Sequence, residues 1–208
     1  MTTKATGLRE RKKQATREAL RDAALRLALD KGPDNVRVED IAEAAGVSPR
    51  TYNNYFSSRE HAMVDGVVAD REARIATAIT RRPSGIRLAD AVTQAIVEQY
   101  ADPGEQHRDA LLLITAHPVL RTTFLAATDA ITPPLTDAIG ARLGGADDLT
   151  AQVLAAAVTA AVRVAVEQWL QPAGGLPGFV ITSGSLSDRL RAALAPLAPA
   201  LDAAEAGA

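Results

Sequence analysis

Apolar positions recur three and four residues apart along most of the chain, the period of helices that bury one face. Over 14–29, Ala15, Ala19, Leu20, Ala23, Ala24 and Leu27 form such a stripe, with Arg17, Arg21 and Arg26 between them. Gly32 and Pro33 end it. A second helix fits 39–45, where Ile41, Ala42 and Ala45 share a face and Gly46 supplies the break. Ser48-Pro49 then signals a helix start, because Ser caps free amides and Pro needs no amide hydrogen at the first helical position. That third helix runs to about Phe56, and Ser57-Ser58 starts a fourth over 59–82 carrying Met63, Val67, Val68, Ala69, Ile75, Ala76 and Ile79.

Further along, breaks at Asp102-Pro103-Gly104, His117-Pro118, Gly144-Gly145 and 171–178 divide five more helices, over 86–100, 105–116, 119–142, 148–170 and 186–197. Pro133-Pro134 should kink or divide the third of these. No alternating apolar runs bounded by hairpin turns are present, so the fold class is all-α.

Composition sharpens this picture. Apolar residues make up 47% of the 208 and aromatics only 3%, so the interior is built from Ala, Leu and Val, which suits close helix packing. The absence of cysteine excludes disulfides, thiolate zinc sites and a cysteine nucleophile, and fits a cytoplasmic protein. The start, 1–13, is polar and basic and does not read as a secretory signal. The most apolar stretch, 153–166, is Ala-rich and broken by Thr159 and Arg163, so no membrane span is expected. Net charge is −2, but it is divided: residues 1–82 carry 16 basic and 12 acidic residues, or +4, and the remainder 7 and 13, or −6. A basic first part suggests that this end meets a polyanion.

The segment 38–56 supplies a reason. Ala42 is small where two helices must cross closely, Gly46 takes the turn, and Val47 seals the corner. The next helix then offers Arg50, Thr51, Asn53, Asn54 and Tyr55, residue types that reach base edges and hold phosphates when a helix-turn-helix enters the major groove. Tyr55 has a mixed role on this reading, and Phe56 belongs to the core.

These residues resemble the TetR family of regulators, within which the Gly7-Leu-Arg-Glu-Arg-Lys-Lys13 start and Ser48-Pro-Arg-Thr51 look most like an actinobacterial group that includes the mycofactocin-system regulator. The resemblance covers roughly the first quarter of the chain, 7–60. It implies an N-terminal three-helix DNA-binding domain with a helix-turn-helix over 1–57, followed over 58–208 by a helical domain that binds a small-molecule effector and dimerises. It also implies that Thr51, Tyr55 and Arg59 bind phosphates while Pro49, Arg50 and Asn53 face bases, with Lys12 and Lys13 in a basic arm before the first helix. Family members usually carry aromatics where this chain has Ala28, Pro33 and Asn53, and a Thr cap where it has Arg37. Tyr52 is placed to fill part of the missing volume, and Arg37 is a candidate phosphate donor.

The resulting expectation is a homodimeric regulator of double-stranded operator DNA, a repressor released by an unidentified small-molecule effector. The alternative is an effector-independent DNA-binding or partner-recruiting protein on the same fold. Polar residues on otherwise apolar helices mark a candidate pocket at Leu112, Thr115, His117, Phe124, Thr128, Thr159, Arg163 and Trp169, although such Thr residues often bond to their own backbone. The apolar helix 149–170 and the terminal helix 186–197 suit an interface between two copies. His61, His107 and His117 are too scattered for a metal signature, and no nucleophile elbow, phosphate loop or carboxylate pair appears, so no metal, cofactor or enzyme activity is assigned.

Overall fold

The computed structural model describes residues 3–69, 71–83, 85–101, 105–145, 148–170 and 185–207. Every regular element among them is helical. The chain divides into two compact units, Met1–Ala69 with Gln106–Thr123, and Asp70–Glu105 with Phe124–Ala208.

The first unit begins with α1 (Thr3–Lys31), much longer than the helix expected over 14–29. No proline interrupts the run, and Glu10, Arg11, Lys12 and Lys13 are strong helix formers. Lys12 and Lys13 therefore lie on the helix itself, which corrects their placement in an arm before it. The Thr16 hydroxyl donates to the Lys12 carbonyl at 2.9 Å and the Gln14 amide to Glu18 at 3.0 Å. Gly32 ends α1 with a φ of 78° and leads into a 3₁₀ turn, Pro33–Asn35.

The next helix, α2 (Val38–Ala44), buries Ile41 and Ala42. It closes in a Schellman motif: the Val47 amide donates to Ala42 at 2.9 Å and the Gly46 amide to Glu43 at 3.0 Å, with Gly46 at φ 68°. Ser48 caps α3 (Pro49–Tyr52) by accepting from the Thr51 amide, and Ser58 caps α4 (Arg59–Val68) by accepting from the His61 amide. Both caps were legible in sequence. However, α3 is one turn long rather than reaching Phe56, and residues 53–55 form a turn that brings the Phe56 amide back to the Tyr52 carbonyl at 3.1 Å.

Across the first unit α1 packs on α4. Gly66 makes the crossing possible, since a Cβ there would stand 3.0 Å from the Leu25 Cβ and 3.2 Å from the Arg21 carbonyl. Leu20, Ala24, Ala28, Val36, Ile41, Tyr52, Phe56 and Met63 fill the core. Tyr52 and Ala28 are fully buried, and Pro33 is buried as well.

In the second unit α5 (Arg71–Arg81) is separate from α4, where one helix over 59–82 was expected. Ala69 leaves the helical region at ψ 139°, although neither Gly nor Pro marks the break. α5 packs on α6 (Leu88–Ala101) and α9 (Thr132–Arg142), and α10 (Asp148–Leu170) packs on α9 and α11 (Leu186–Leu194). Between α6 and α9 the chain returns to the first unit for α7 (Glu105–Ala116) and most of α8 (Pro118–Ala126). The break expected at Pro133-Pro134 is instead a 3₁₀ turn at Ala127–Ile131, and the prolines occupy the first turn of α9, where their missing amides cost nothing.

A terminal helix, α12 (Ala198–Ala206), follows a 3₁₀ turn and was not expected as a separate element. Its carboxylates serve the start of α6: Glu205 accepts from the Leu88 amide at 2.7 Å and Asp202 from the Ala89 amide at 3.2 Å. Arg142 completes the lock, bonding Glu205 and donating to the Ile86 carbonyl at 2.6 Å. By length and composition α10 is apolar enough to cross a membrane, but Leu154, Val158, Val162 and Val166 are buried in this unit, the pattern of a core helix.

Candidate DNA interface

The surface of α3 follows from its register. Tyr52 and Phe56 point inward, ring centroids 5.8 Å apart, and the Tyr52 hydroxyl donates to the Ser58 carbonyl at 2.7 Å. This fixes the turn between α3 and α4. Burial, reinforced by the nearby Glu60 charge, pushes the Tyr52 phenol up to about 12, so it remains a neutral donor. With these two rings inside, Pro49, Arg50, Asn53 and Asn54 are exposed, while Thr51 and Tyr55 are half-buried. The Ser48 and Thr51 hydroxyls are 2.9 Å apart at the helix start.

Beside α3 lies an open groove of about 620 Å³, lined by Arg9, Glu10, Lys12, Lys13, Thr16, Thr51, Asn54 and Tyr55. Five of these, Lys12, Lys13, Thr51, Asn54 and Tyr55, are sequence-predicted site residues drawn from two separate parts of the chain. Arg9 and Thr16 were missed. Their signal is spacing, since 9, 12, 13 and 16 share a face once α1 is taken to start before Arg9. Three cations against the single Glu10 carboxylate give this groove a positive field.

Arg37 is exposed just before α2, and its backbone amide donates to the Asp40 carboxylate at 3.2 Å. Its side chain is thus available to solvent at the edge of the helix-turn-helix. Arg59 differs from expectation. Its Nη1 donates to the carbonyls of Val36 and Asp34 at 2.6 and 3.1 Å, and its Nε to Glu60 at 2.8 Å. These bonds pin the turn after α1 to the start of α4. Burial pushes the Glu60 carboxyl up, but hydrogen bonds led by Arg59 outweigh it and hold the group below its ordinary value. The guanidinium expected on phosphate is therefore largely spent on the protein's own backbone.

The eight candidate pocket residues fall in both units. Leu112, Thr115 and His117 belong to the first, where Leu112 is 62% exposed and His117 stands 4.0 Å from Asp34. Phe124, Thr128, Thr159, Arg163 and Trp169 belong to the second. Phe124, Thr128 and Thr159 are buried, whereas Arg163 is exposed, 3.9 Å from Asp129. The hydroxyls of Thr115, Thr128 and Thr159 donate to Leu112, Leu125 and Ala155 carbonyls at 2.8, 2.7 and 2.9 Å, bonds within their own helices or turns. Among the described residues no three His, Asp or Glu side chains converge as a metal site would require.

Residues 20–61 match the family described as bacterial regulatory proteins, tetR family, and residues 86–202 match the MftR C-terminal domain. The HTH-type transcriptional regulator TcmR of Streptomyces glaucescens is 31% identical over 197 residues, covering 89% of this chain and 87% of its own. A Mycobacterium tuberculosis protein named as a mycofactocin biosynthesis transcriptional regulator, MftR, is 27% identical over 165 residues, 77% of this chain and 83% of its own. Among solved structures, Thermus thermophilus FadR, a TetR-family transcriptional repressor in complex with lauroyl-CoA, has a TM-score of 0.51 at 21% identity, over 87% of this chain and 92% of that one. The helix-turn-helix at 38–56, the groove of cations beside it and these two domain matches together place the chain in the TetR family of transcriptional regulators, with a C-terminal domain of the MftR type.

Proposed function

We propose that the protein represses transcription by presenting α3 to the major groove of an operator, with the basic groove on α1 following the phosphate backbone. The observation that carries this is the joint lining of one groove by Lys12, Lys13, Thr51, Asn54 and Tyr55. Exposed Arg50 and Asn53 take the base edges, Arg50 as a bidentate donor to guanine O6 and N7, and Pro49 packs against them. Thr51, Tyr55, Arg9, Lys12 and Lys13 hold phosphates, with Arg37 at the rim.

A homodimer then places two copies of α3 about one helical turn apart on a pseudo-palindromic site. The outer face of α10 supports this. Leu149, Val153 and Val164 are 71%, 59% and 49% exposed in the single chain, and Ala156 and Ala160 on the same face permit close approach. An effector bound in the second unit shifts the population away from the conformer that fits DNA. The protein works in the cytoplasm, by binding rather than by catalysis.

Mobility shift on the DNA upstream of the protein's own gene tests the site. Wild type should retard a specific fragment, and an Arg50→Ala, Tyr55→Ala double variant should not. Retention of wild-type operator binding by that variant refutes the assignment.

A further inference from the structure

A buried charge is ordinarily found beside its opposite, because desolvation penalises it heavily when alone. Arg71, in the first turn of α5, departs from this. Its residue is only 7% exposed, and among the described residues it makes no ion pair. The guanidinium lies instead against two rings of the same unit, 4.1 Å from the centroid of Tyr100 on α6 and 5.3 Å from that of Phe124. Among the described residues its Nε and the Tyr100 hydroxyl make no hydrogen bond of sound geometry, although the guanidinium lies close enough to act on the phenol oxygen, which leaves the phenol hydrogen itself without an acceptor.

The chemistry of this arrangement is specific. Ring quadrupoles attract a cation over their faces, but they do not use the N–H donors in the guanidinium plane. Arginine cannot shed its proton to escape burial, so an in-plane donor and a phenol hydrogen remain unspent side by side. Burial lowers the Arg71 value and raises that of Tyr100, and outweighs the opposing pull of each group on the other, so the phenol stays a neutral donor. A planar carboxylate is the group that such a fork accepts through parallel bonds.

We propose that Arg71 and Tyr100 anchor the carboxylate of a small apolar acid inside the second unit. Ile75 and Ile79 follow Arg71 at four-residue spacing on α5, Ile96 and Val97 precede Tyr100 by four and three residues on α6, and all four are buried, so the surroundings of the charge are apolar and suit an apolar body on the acid. One guanidinium balances one negative charge, which favours a monoanion over a dianionic phosphate. The inference rests on the reading of this unit as an effector domain, and names the class of effector.

The test uses the full-length protein and four probes: octanoate and benzoate, with octanamide and benzamide as uncharged counterparts. Binding is followed by calorimetry and by the shift in melting temperature. Wild type should bind at least one acid, and bind it at least tenfold more tightly than its amide. Arg71→Met should abolish that difference without lowering the melting temperature of the ligand-free protein, because it removes an unpaired charge at similar side-chain length. Tyr100→Phe should keep the fold and weaken acid binding several-fold.

Equal binding of acids and amides, no acid binding at millimolar concentration, or an unchanged acid preference in Arg71→Met overturns the proposal. Should Arg71→Met fail to fold, Tyr100→Phe decides alone: unchanged acid affinity shows a purely structural cation–ring contact. Operator retardation measured on the same preparations separates the two readings. Intact DNA binding without acid binding contradicts only the anion site, whereas acid binding without DNA binding contradicts only the operator interface.

Discussion

Arg17 of α1 grips Asp65 of α4 through two hydrogen bonds, Nε to Oδ2 at 3.2 Å and Nη2 to Oδ1 at 2.7 Å, while its guanidinium carbon lies 5.1 Å from the centroid of Phe56. One side chain thus ties the long first helix to the fourth and covers the aromatic that ends the reading head. Arg17 is 44% exposed and Asp65 18%, so solvent weakens the pair. A double-mutant cycle with Arg17→Ala and Asp65→Ala should give a coupling of about 1 kcal/mol in chemical denaturation. Strictly additive losses would show that the two bonds contribute nothing.

Tyr52 makes the fold of the reading head sensitive to alkali. Its value is about 12 when folded against 10.0 for an ordinary tyrosine, so between these limits the folded state binds more protons than the unfolded. Stability from this group is therefore complete below pH 10 and is lost as pH rises toward 12. Absorbance titration near 295 nm should show a late tyrosine step to which buried Tyr100 also contributes, and Tyr52→Phe should shrink that step by one tyrosine. All tyrosines ionising together near pH 10 would contradict the buried donor.

Of the two carboxylates that close α12 on α6, Glu205 meets both an amide and a guanidinium. Glu205→Ala strips the acceptor from both Arg142 and the Leu88 amide, at a cost of about 2 to 3 kcal/mol. Glu205→Gln keeps an acceptor for the amide and should lose roughly half as much, about 1 kcal/mol. Thermal unfolding of the two variants checks the order. Equal melting temperatures for wild type and Glu205→Ala would show that α12 is not held this way.

Much of this was legible in the sequence, where local rules sufficed. Ser48-Pro49 and Ser58 marked two helix starts correctly because a cap is a contact within three residues. Gly46 marked the turn because only a positive φ closes it, and α10 was read to its last residue because no breaker interrupts it. What failed depends on distance. Arg59 has the residue type of a phosphate ligand, but its partners lie at Val36 and Asp34, more than twenty positions away. The break at Ala69 carries no Gly or Pro, and the role of α12 resides in Glu205 and Asp202 meeting amides over a hundred residues earlier. Arg9 was missed for a simpler reason, a helix start placed too late.

The central claim is that α3 reads bases while the α1 groove holds phosphates. The most direct test is the salt dependence of operator binding by fluorescence anisotropy, for wild type, Arg50→Ala and the Lys12→Ala, Lys13→Ala pair. Arg50→Ala should cost about 1 to 3 kcal/mol on the operator and little on unrelated DNA, lowering the specificity ratio. The lysine pair should weaken both DNAs alike and reduce the slope of log affinity against log salt by about 2 per protomer. An unchanged specificity ratio in the first variant together with an unchanged slope in the second would contradict the account.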